Sequence, residues 1–556
     1  MKKLTRREMI RLMGINAVGI GLAACGAATP TAAPQATDTT APQATSASAQ
    51  ATDTPAPTTA PAQGAPVKIT MVESWFGIPQ YQDSIDPVTK AISTKMQSEG
   101  VNIQIQSMIL DDWQNKYPLL YSSGANFTMA FDAPWVKMLS LRDQGALVAV
   151  EDLINQSDPN LKKEITDKIY NANFMPGTDG KQHLYGIPVV YYFRGTTGVI
   201  LREDLRTKYN APAPSSAEGY PSLQPYLEAI HKNLPDMIPF VDSANWPITG
   251  LATALAGWQS EPGLIIPDWT KGYQWVELEN VPEYVAAARV LRSWWSAGLT
   301  NKADISQSAT TQNFEVDDIY PGKAASCMEN EPDYKCVDMT KQMQASNPSA
   351  LLKGYDLTGM RGGKKGTGSP IAGNFIVFNA GAPKEQTQAG LRYFDWLSTS
   401  QDNIDLWDMG IDGVNYKKEA NLTFAEVPGT DPTRNYRRQW YVSGISGKYQ
   451  RQPDYLTQDA KDALKFFSTE SNFIYNPYED FAVNTKPLES DLAQLNAVVA
   501  EAYHGLDTGQ LDTDQAIAKA KQMMDSAGRQ KVKQALQKQL DDYIAAHPAP
   551  TPTAGS

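Results

Sequence analysis

The fold is decided by a strand-helix-strand pattern near the start of the folded region. The first strand reads Val67-Lys68-Ile69-Thr70-Met71-Val72 and the second reads Val101-Asn102-Ile103-Gln104-Ile105. Apolar and polar residues alternate in both, as expected for strands, and the intervening residues 86–99 predict a helix. A strand, a helix and a second strand in this order favour a parallel α/β sheet.

The same sheet predicts where a ligand would bind. Residues 111–122 predict a further helix, and residues 129–135 predict a strand that ends in a loop. Because ligands meet α/β sheets at the carboxyl ends of the strands, we expect Trp75, Asp132 and Trp135 to lie where a ligand could touch them. Core packing is the alternative explanation for each tryptophan.

Length and composition limit the classes of protein that the chain can belong to. Its 556 residues exceed the ~250–300 at which a single core stops growing, so we expect more than one lobe. The net charge of −12 disfavours a nucleic-acid partner, which needs a basic surface. Three cysteines and four scattered histidines disfavour a disulfide scaffold or a multi-ligand metal site. We therefore expect no cofactor and no metal.

The N-terminus has the features of an export signal. Residues 1–25 begin with a basic region, and residues 12–24 are uncharged and mostly apolar. This apolar run is too short to span a bilayer, which takes ~20 residues, but it suits a signal peptide. It ends in Leu22-Ala23-Ala24-Cys25, which resembles a bacterial lipobox and implies lipid attachment at Cys25. Arg6-Arg7 also resembles a twin-arginine signal, with the ordinary secretion route as the alternative.

Two segments of low complexity flank the body. Residues 26–66 consist largely of Ala, Thr, Pro, Gln and Ser and contain no aromatic residue. Such a composition cannot bury enough apolar surface to offset the entropy of ordering, so we expect a disordered linker. Residues 547–556 predict a disordered tail. The body is therefore expected over residues 67–546.

The second half of the body predicts several helices and one disulfide. Helical patterns occur at residues 281–297, 488–503, 513–526 and 529–544. In the first of these, the helical period explains Trp294 by packing rather than by binding. Cys327 and Cys336 have eight residues between them, and outside the cytoplasm such a spacing predicts a local disulfide.

Four motifs follow one another along the body in an order that carries a family resemblance. They are Leu184-Tyr185-Gly186-Ile187-Pro188-Val189, Gly198-Val199-Ile200-Leu201-Arg202-Glu203-Asp204-Leu205, Tyr320-Pro321-Gly322-Lys323-Ala324-Ala325 and Gly410-Ile411-Asp412-Gly413-Val414-Asn415-Tyr416. With the lipobox and linker in front, they resemble the family 1 extracellular solute-binding proteins, in the lipoprotein branch that serves carbohydrate ABC importers. Asp412 and Asn415 depart from the commoner Glu and His of the last motif.

This resemblance implies a two-lobed α/β fold of the periplasmic-binding-protein type (type II), with hinge crossovers and a helical C-terminal region. The lobes would close on a ligand by a hinge motion. Crossovers are expected near residues 189–196, 371–375 and 410–413. The expected lobes are lobe 1 at about 67–189 and 375–410, and lobe 2 at about 196–370 and 412–546.

A sugar site would combine aromatic platforms for the apolar faces of the rings with polar partners for the hydroxyls. The candidate platforms are Trp75, Trp135, Tyr191, Trp246, Trp258 and Trp407. The candidate hydrogen-bonding residues are Asp132, Glu329, Asn330, Asn374 and Asp412. Packing in a core is the alternative for Trp246 and Trp258.

The resemblance therefore implies a lipid-anchored, extracytoplasmic protein of the cell membrane that is not an enzyme. It would capture a carbohydrate and deliver it to the transmembrane subunits of an ABC permease. The acidic charge favours a neutral oligosaccharide. A surface-tethered glycoside hydrolase or lyase is the main alternative, since sequence does not show the spacing of carboxylates that such enzymes need. A surface adhesin is a third possibility.

Overall fold

The computed structural model describes most of the body. The described residues are 64–73, 81–110, 113–134, 136–157, 159–189, 197–241, 258–300, 315–357, 366–368, 372–431, 434–436, 449–479, 481 and 483–548. The predicted signal peptide, the lipidation site Cys25 and nearly all of the predicted linker lie outside them.

The first lobe is built on a five-stranded sheet. Its strands follow the spatial order Ile103–Ile109, Val67–Glu73, Met129–Asp132, Phe375–Phe378 and Ile187–Pro188. The first three are parallel to one another, as the sequence predicted. Phe375–Phe378 runs antiparallel to both of its neighbours. This strand follows the whole central part of the chain, so the chain leaves the first lobe and returns to it.

The central strands of this sheet are almost entirely buried, as is typical of sheets that helices cover on both faces. All four residues of Met129–Asp132 and of Phe375–Phe378 are buried. The predicted first helix is present as Gln82–Ser98, and a short hairpin pairs Met175–Pro176 with Gln182–His183. The other helices of this lobe are Trp113–Ser122, Met138–Asp143, Glu151–Ser157, Pro159–Ile165, Asp167–Ala172, Lys384–Leu397 and Gln401–Asp408.

The second lobe has a separate core. Thr197–Arg202 lies between Ser326–Asn330 and Leu352–Asp356, and both pairings are antiparallel. A second sheet has the order Val276–Glu277, Leu264–Ile266 and Trp258–Glu261. The α-helices are Glu203–Lys208, Gln224–Asn233, Pro282–Ala297, Pro332–Gln344, Glu489–Thr508, Thr513–Ser526 and Arg529–Ala546. Short 3-10 helices lie at Tyr220–Leu223, Trp269–Lys271, Leu278–Asn280 and Lys486–Leu488, and a π-helical turn lies at Glu315–Ile319.

The predicted C-terminal helices are all present, and Trp294 is fully buried in the second core, which confirms its packing role. Gly509 ends the helix Glu489–Thr508 in the left-handed conformation, with φ 68°. A Cβ at this position would lie 2.6 Å from the Leu291 carbonyl oxygen. Glycine is therefore needed here for its conformation and for the close approach of the backbone.

A third segment connects the lobes at residues 409–475. It contains the strands Lys417–Lys418, Thr423–Ala425 and Gln452–Pro453, the helix Gln458–Ser468, the 3-10 helix Glu470–Asn472 and the strand Phe473–Tyr475, which pairs with Gly366–Gly368. The sequence placed residues 412–546 in the second lobe, but Tyr436 is buried in the first core. Its hydroxyl donates to the Trp407 carbonyl oxygen at 2.6 Å.

A buried ion pair accounts for this difference from the predicted boundary. Arg451 Nε lies 2.8 Å from Asp405 Oδ1, and both side chains are buried. Arg451 also donates to the carbonyl oxygens of Glu419 and Thr423. The first part of the segment is thereby tied to the first lobe. The segment also contacts the second lobe: Lys341 Nζ lies 2.9 Å from Glu426 Oε1, and Tyr455 donates to Asp338 at 2.8 Å.

The predicted disulfide between Cys327 and Cys336 is wrong in this structure, in which the two residues are thiols. Cys327 lies on the strand Ser326–Asn330 and Cys336 on the helix Pro332–Gln344, and both are buried in one small apolar cluster. The Cys336 thiol donates to the Asp333 carbonyl oxygen at 3.4 Å. Burial raises the pKa of Cys336 to about 12, which makes it an inert core residue.

Among the described helices, none has both the length and the apolar composition that crossing a membrane requires.

Candidate functional site

The candidate site is placed by the first crossover, where the chain passes from one main sheet to the other. The chain leaves the first lobe at Val189, directly after Pro188, which pairs with Phe375. It enters the second lobe at Thr197, which pairs with Asn330. Eight residue steps span at most about 30 Å. The carboxyl edge of the first sheet and one end of the second sheet therefore lie on either side of a short hinge.

Asp132 lies at the first of these edges, as the sequence predicted, and it is completely buried. Its Oδ1 accepts hydrogen bonds from the backbone N–H groups of Ala133 at 2.7 Å and Lys137 at 3.0 Å. Its Oδ2 accepts from the Tyr117 hydroxyl at 3.1 Å, which is 3.0 Å from the Tyr121 hydroxyl. The carboxylate therefore fixes the turn that follows the strand.

This burial makes a prediction about pH. Burial raises the pKa of Asp132 to about 6, against the hydrogen bonds, which lower it. The folded state then binds a proton that the unfolded state releases, so stability falls as pH rises between about 4 and 6. We expect the unfolding free energy of the wild type, relative to Asp132→Asn, to fall by about 2 kcal/mol between pH 4 and pH 7. Denaturant titrations at several pH values measure this difference.

Asp236→Asn is the matched control, because Asp236 is exposed on the second lobe. Its difference from the wild type should change far less over the same range. Tyr117 and Tyr121 face the carboxyl but stay neutral here, because burial raises the pKa of both hydroxyls. A pH-independent difference for Asp132→Asn would contradict the prediction.

Two further polar residues share this edge. Asn374 is buried, and its backbone oxygen accepts from the Val189 N–H at 2.9 Å, directly before the hinge. Glu73 ends the first strand, is also buried, and accepts from the Ser107 hydroxyl at 2.7 Å. The sequence analysis missed Glu73, although it follows a predicted strand as Asp132 does. Its place at the end of a predicted strand is the feature from which Glu73 could have been predicted.

The facing end of the second sheet carries a buried ion pair. Glu329 lies near the end of the strand Ser326–Asn330, where it pairs with Gly198, and its side chain is only 2% exposed. Lys335 Nζ lies 2.5 Å from Glu329 Oε2. Asn330 is the next residue on the strand, and its backbone pairs with Thr197. The sequence predicted Glu329 and Asn330 as ligand-binding residues but not Lys335, which reaches Glu329 from the start of the following helix.

Close backbone packing fixes this end of the second lobe. A Cβ on Gly354 would lie 2.1 Å from the Pro332 carbonyl oxygen, and one on Gly198 would lie 2.7 Å from Pro332 Cγ. The start of the helix Pro332–Gln344 thus sits directly on two strands of the sheet. Residues 329–332 are held in place by this contact, so the polar groups that they carry are pre-positioned.

Trp407 is not part of the site, which corrects the prediction that it binds ligand. It is fully buried in the first core, with ring centroids 5.4 Å from Tyr393 and 5.8 Å from Phe394. Asp412 lies in an exposed turn, where its Oδ1 accepts from the Lys418 N–H at 2.8 Å.

The structure describes little of the remaining aromatic residues that were predicted to bind sugar. Trp258 begins a strand of the smaller sheet of the second lobe, and its side chain is outside the described residues. Four others lie wholly outside them: Trp75, Trp135, Tyr191 and Trp246. Within the described part of the chain, no group of three or more His, Cys, Asp or Glu side chains is arranged to hold a metal ion.

Comparison with known proteins finds similarity to transport proteins. A family model described as a domain of unknown function, DUF3502, matches residues 477–545. A carbohydrate ABC transporter substrate-binding protein of Streptococcus pneumoniae serotype 4 (strain ATCC BAA-334 / TIGR4) is 20% identical over 455 residues, which cover 80% of this chain and 85% of that protein.

Solved structures show the same fold. The N-glycan transport solute-binding protein NgtS of Streptococcus pneumoniae matches with a TM-score of 0.65 and 18% identity, over 87% of this chain and 99% of that one. The alginate-binding protein AlgQ2 matches with a TM-score of 0.58 and 15% identity, over 86% and 99%. FusA of S. pneumoniae, in complex with kestose, gives 0.57 and 17%, over 86% and 99%. The chain is thus similar over most of its length to carbohydrate ABC transporter substrate-binding proteins, and it has their two-lobed α/β fold.

Proposed function

We propose that this chain is the lipid-anchored, extracytoplasmic substrate-binding component of a carbohydrate ABC importer. It captures a neutral oligosaccharide between its lobes and presents it to the transmembrane subunits of a permease. The observation that carries the proposal is the pair of polar sheet ends on either side of a short hinge. The same fold belongs to NgtS, which has been crystallised in complex with Man1GlcNAc and with Man5GlcNAc.

The chemistry of the two edges suits sugar hydroxyls. Asp132 and Glu73 lie at the first edge and Glu329 at the second, and all three side chains are buried and held by hydrogen bonds or an ion pair, so they fix the strand ends that would face a ligand. Hinge closure would exclude water and strengthen each polar contact with a ligand. A wrong sugar would leave buried groups unpaired, which is the source of specificity.

The anchor and the spacer follow from the sequence. Lipid on Cys25 would hold the chain at the outer face of the membrane. The 26–66 linker would let the body turn towards the permease, because a flexible chain of this length reaches on the order of 35 Å. An acidic body with acidic sheet ends favours neutral over anionic sugars.

The proposal predicts binding without turnover. Purified protein should be stabilised in a thermal-shift assay by one or few neutral oligosaccharides from a panel that contains Man1GlcNAc, Man5GlcNAc and kestose. When the free oligosaccharide concentration is a hundred times its Kd, mass action predicts that binding stabilises the folded protein by about 2.7 kcal/mol. Alginate oligomers serve as the anionic comparison and should give no shift.

Chromatography of the sugar after incubation completes this test. Recovery of the intact oligosaccharide is expected of a binding protein, whereas a shortened product would replace the proposal with the glycoside hydrolase or lyase alternative. A protein that no carbohydrate of the panel stabilises would contradict the proposed ligand class.

A further inference from the structure

Glu331 has a backbone conformation that a glutamate rarely adopts. It stands between the strand Ser326–Asn330 and the helix Pro332–Gln344, with φ 55° and ψ 49°. This left-handed conformation is unfavourable for a residue with a side chain, and such residues concentrate at ligand sites. Glycine would fit here without strain. Glu331 therefore occupies a position at which the backbone conformation favours glycine.

The carboxylate of Glu331 does not serve the fold as a helix cap. Glu331 occupies the N-cap position of its helix but accepts no hydrogen bond there. Elsewhere in this chain, Ser400, Thr457 and Asp512 occupy the same position and do accept bonds from the first turn of their helices. No described residue forms a hydrogen bond with the Glu331 carboxylate either.

Glu331 lies close to a second carboxylate and to an ammonium group. The residue is partly exposed, yet burial raises the pKa of its carboxyl group, with Lys335 lowering it and Glu329 raising it. Lys335 Nζ lies 2.5 Å from Glu329 Oε2. The charged groups next to Glu331 among the described residues thus include one of each sign.

The position of Glu331 is that of the hinge end of the second lobe. It follows Asn330, whose backbone pairs with Thr197, the first described residue after the hinge. Its other neighbour, Pro332, is packed onto Gly354 so closely that a Cβ would not fit between them. Glu331 therefore stands on a fixed backbone next to the strand end at which the chain enters the second lobe.

We propose that Glu331 is a ligand-contacting residue, whose carboxylate accepts hydrogen bonds from hydroxyl or ammonium groups of the bound sugar. This inference rests on the proposed function and names the charge class of its ligand. Ligand binding removes water from the carboxylate. This favours a ligand that donates hydrogen bonds to it and disfavours a ligand that brings a second negative charge. Glu331 therefore selects neutral or amino sugars and rejects uronic acids.

Three substitutions test this assignment against Glu283→Gln, which removes an exposed charge from a helix of the same lobe. The probes are Man1GlcNAc, kestose, an oligomer of glucosamine and an alginate oligomer, measured by calorimetry on the full chain. Glu331→Ala should weaken binding of the neutral or amino sugar that the wild type binds by about tenfold or more. Glu331→Gln should lose the discrimination between amino sugar and uronate. Glu283→Gln should match the wild type.

Glu331→Gly separates the role in binding from any role in folding. It relieves the left-handed backbone, so it should raise Tm while it lowers affinity for the sugar. If the Glu331 variants keep wild-type affinity and selectivity for a sugar that the wild type binds, this inference is wrong and the proposed function stands. If no sugar binds the wild type, the proposed function fails and this inference fails with it.

Discussion

Replacing Arg529 by Met should lower the free energy of unfolding by about 3–5 kcal/mol. The Arg529 side chain is fully buried, and its Nη2 lies 2.7 Å from Glu279 Oε1, which is also fully buried. Nη1 donates to Glu279 Oε2 at 2.8 Å, so the pair is bidentate. Removing the guanidinium group leaves the Glu279 carboxylate in the core with its main partner gone. The penalty comes from this unpaired charge more than from the lost attraction.

The ion pair fastens the C-terminal helix to the second lobe. Arg529 is the first residue of the helix Arg529–Ala546, and Glu279 belongs to the 3-10 helix Leu278–Asn280. Tyr503, on the helix Glu489–Thr508, donates to Glu279 Oε2 at 2.5 Å and is 3.1 Å from Arg529 Nη1. Asp525, near the end of the helix Thr513–Ser526, accepts from Arg529 Nη2 at 2.9 Å, so four elements meet at one polar cluster. We expect the variant to loosen the whole helical end, which is the part of the chain that the DUF3502 model matches.

Arg289→Met is the matched control for Arg529→Met. Arg289 Nη2 lies 2.7 Å from Asp514 Oδ1, but both side chains are more than half exposed. A surface pair of this kind contributes less than about 1 kcal/mol. The double variant Arg529→Met, Glu279→Met should recover much of the lost stability, because no buried charge remains. Equilibrium denaturation of the four proteins measures these differences, and equal losses for the two arginine variants would contradict the interpretation.

The sequence predicted the elements that depend on local periodicity. The alternating strand at Val67–Glu73 and the helix Gln82–Ser98 are where the pattern placed them, and Trp294 faces the core because a helical period requires it. Asp132 was placed at the correct sheet edge for the same reason, since it ends a strand. These features need only the pattern of neighbours along the chain.

The features that sequence reasoning missed depend on contacts between distant segments. Trp407 was assigned to the site as an aromatic residue beside polar residues in a predicted loop. It lies instead on a helix that packs on Lys384–Leu397 and turns the indole inward. Lys335 reaches Glu329 only because its helix folds back over the strand. The left-handed backbone of Glu331 is likewise invisible in sequence, since no glycine marks it.

The second large effect on stability is expected at Trp407. Its buried position indicates a role in packing, which can be measured separately from ligand binding. Trp407→Ala should lower the free energy of unfolding by about 3–5 kcal/mol, because it removes a fully buried indole that contacts Tyr393 and Phe394 edge-on. Truncation here leaves a cavity in the first core, beside the backbone carbonyl that Tyr436 uses to join the same core. Equilibrium denaturation measures the loss.

Trp407→Phe keeps most of the apolar volume and should be destabilised far less, so it remains folded for ligand measurements. If Trp407 only packs, this variant should bind the neutral oligosaccharide with an affinity within about threefold of the wild type, because the side chain has no exposed surface to offer a sugar. A tenfold loss of affinity at nearly unchanged stability would instead return Trp407 to the site, since a residue that acts only through packing changes stability before it changes binding.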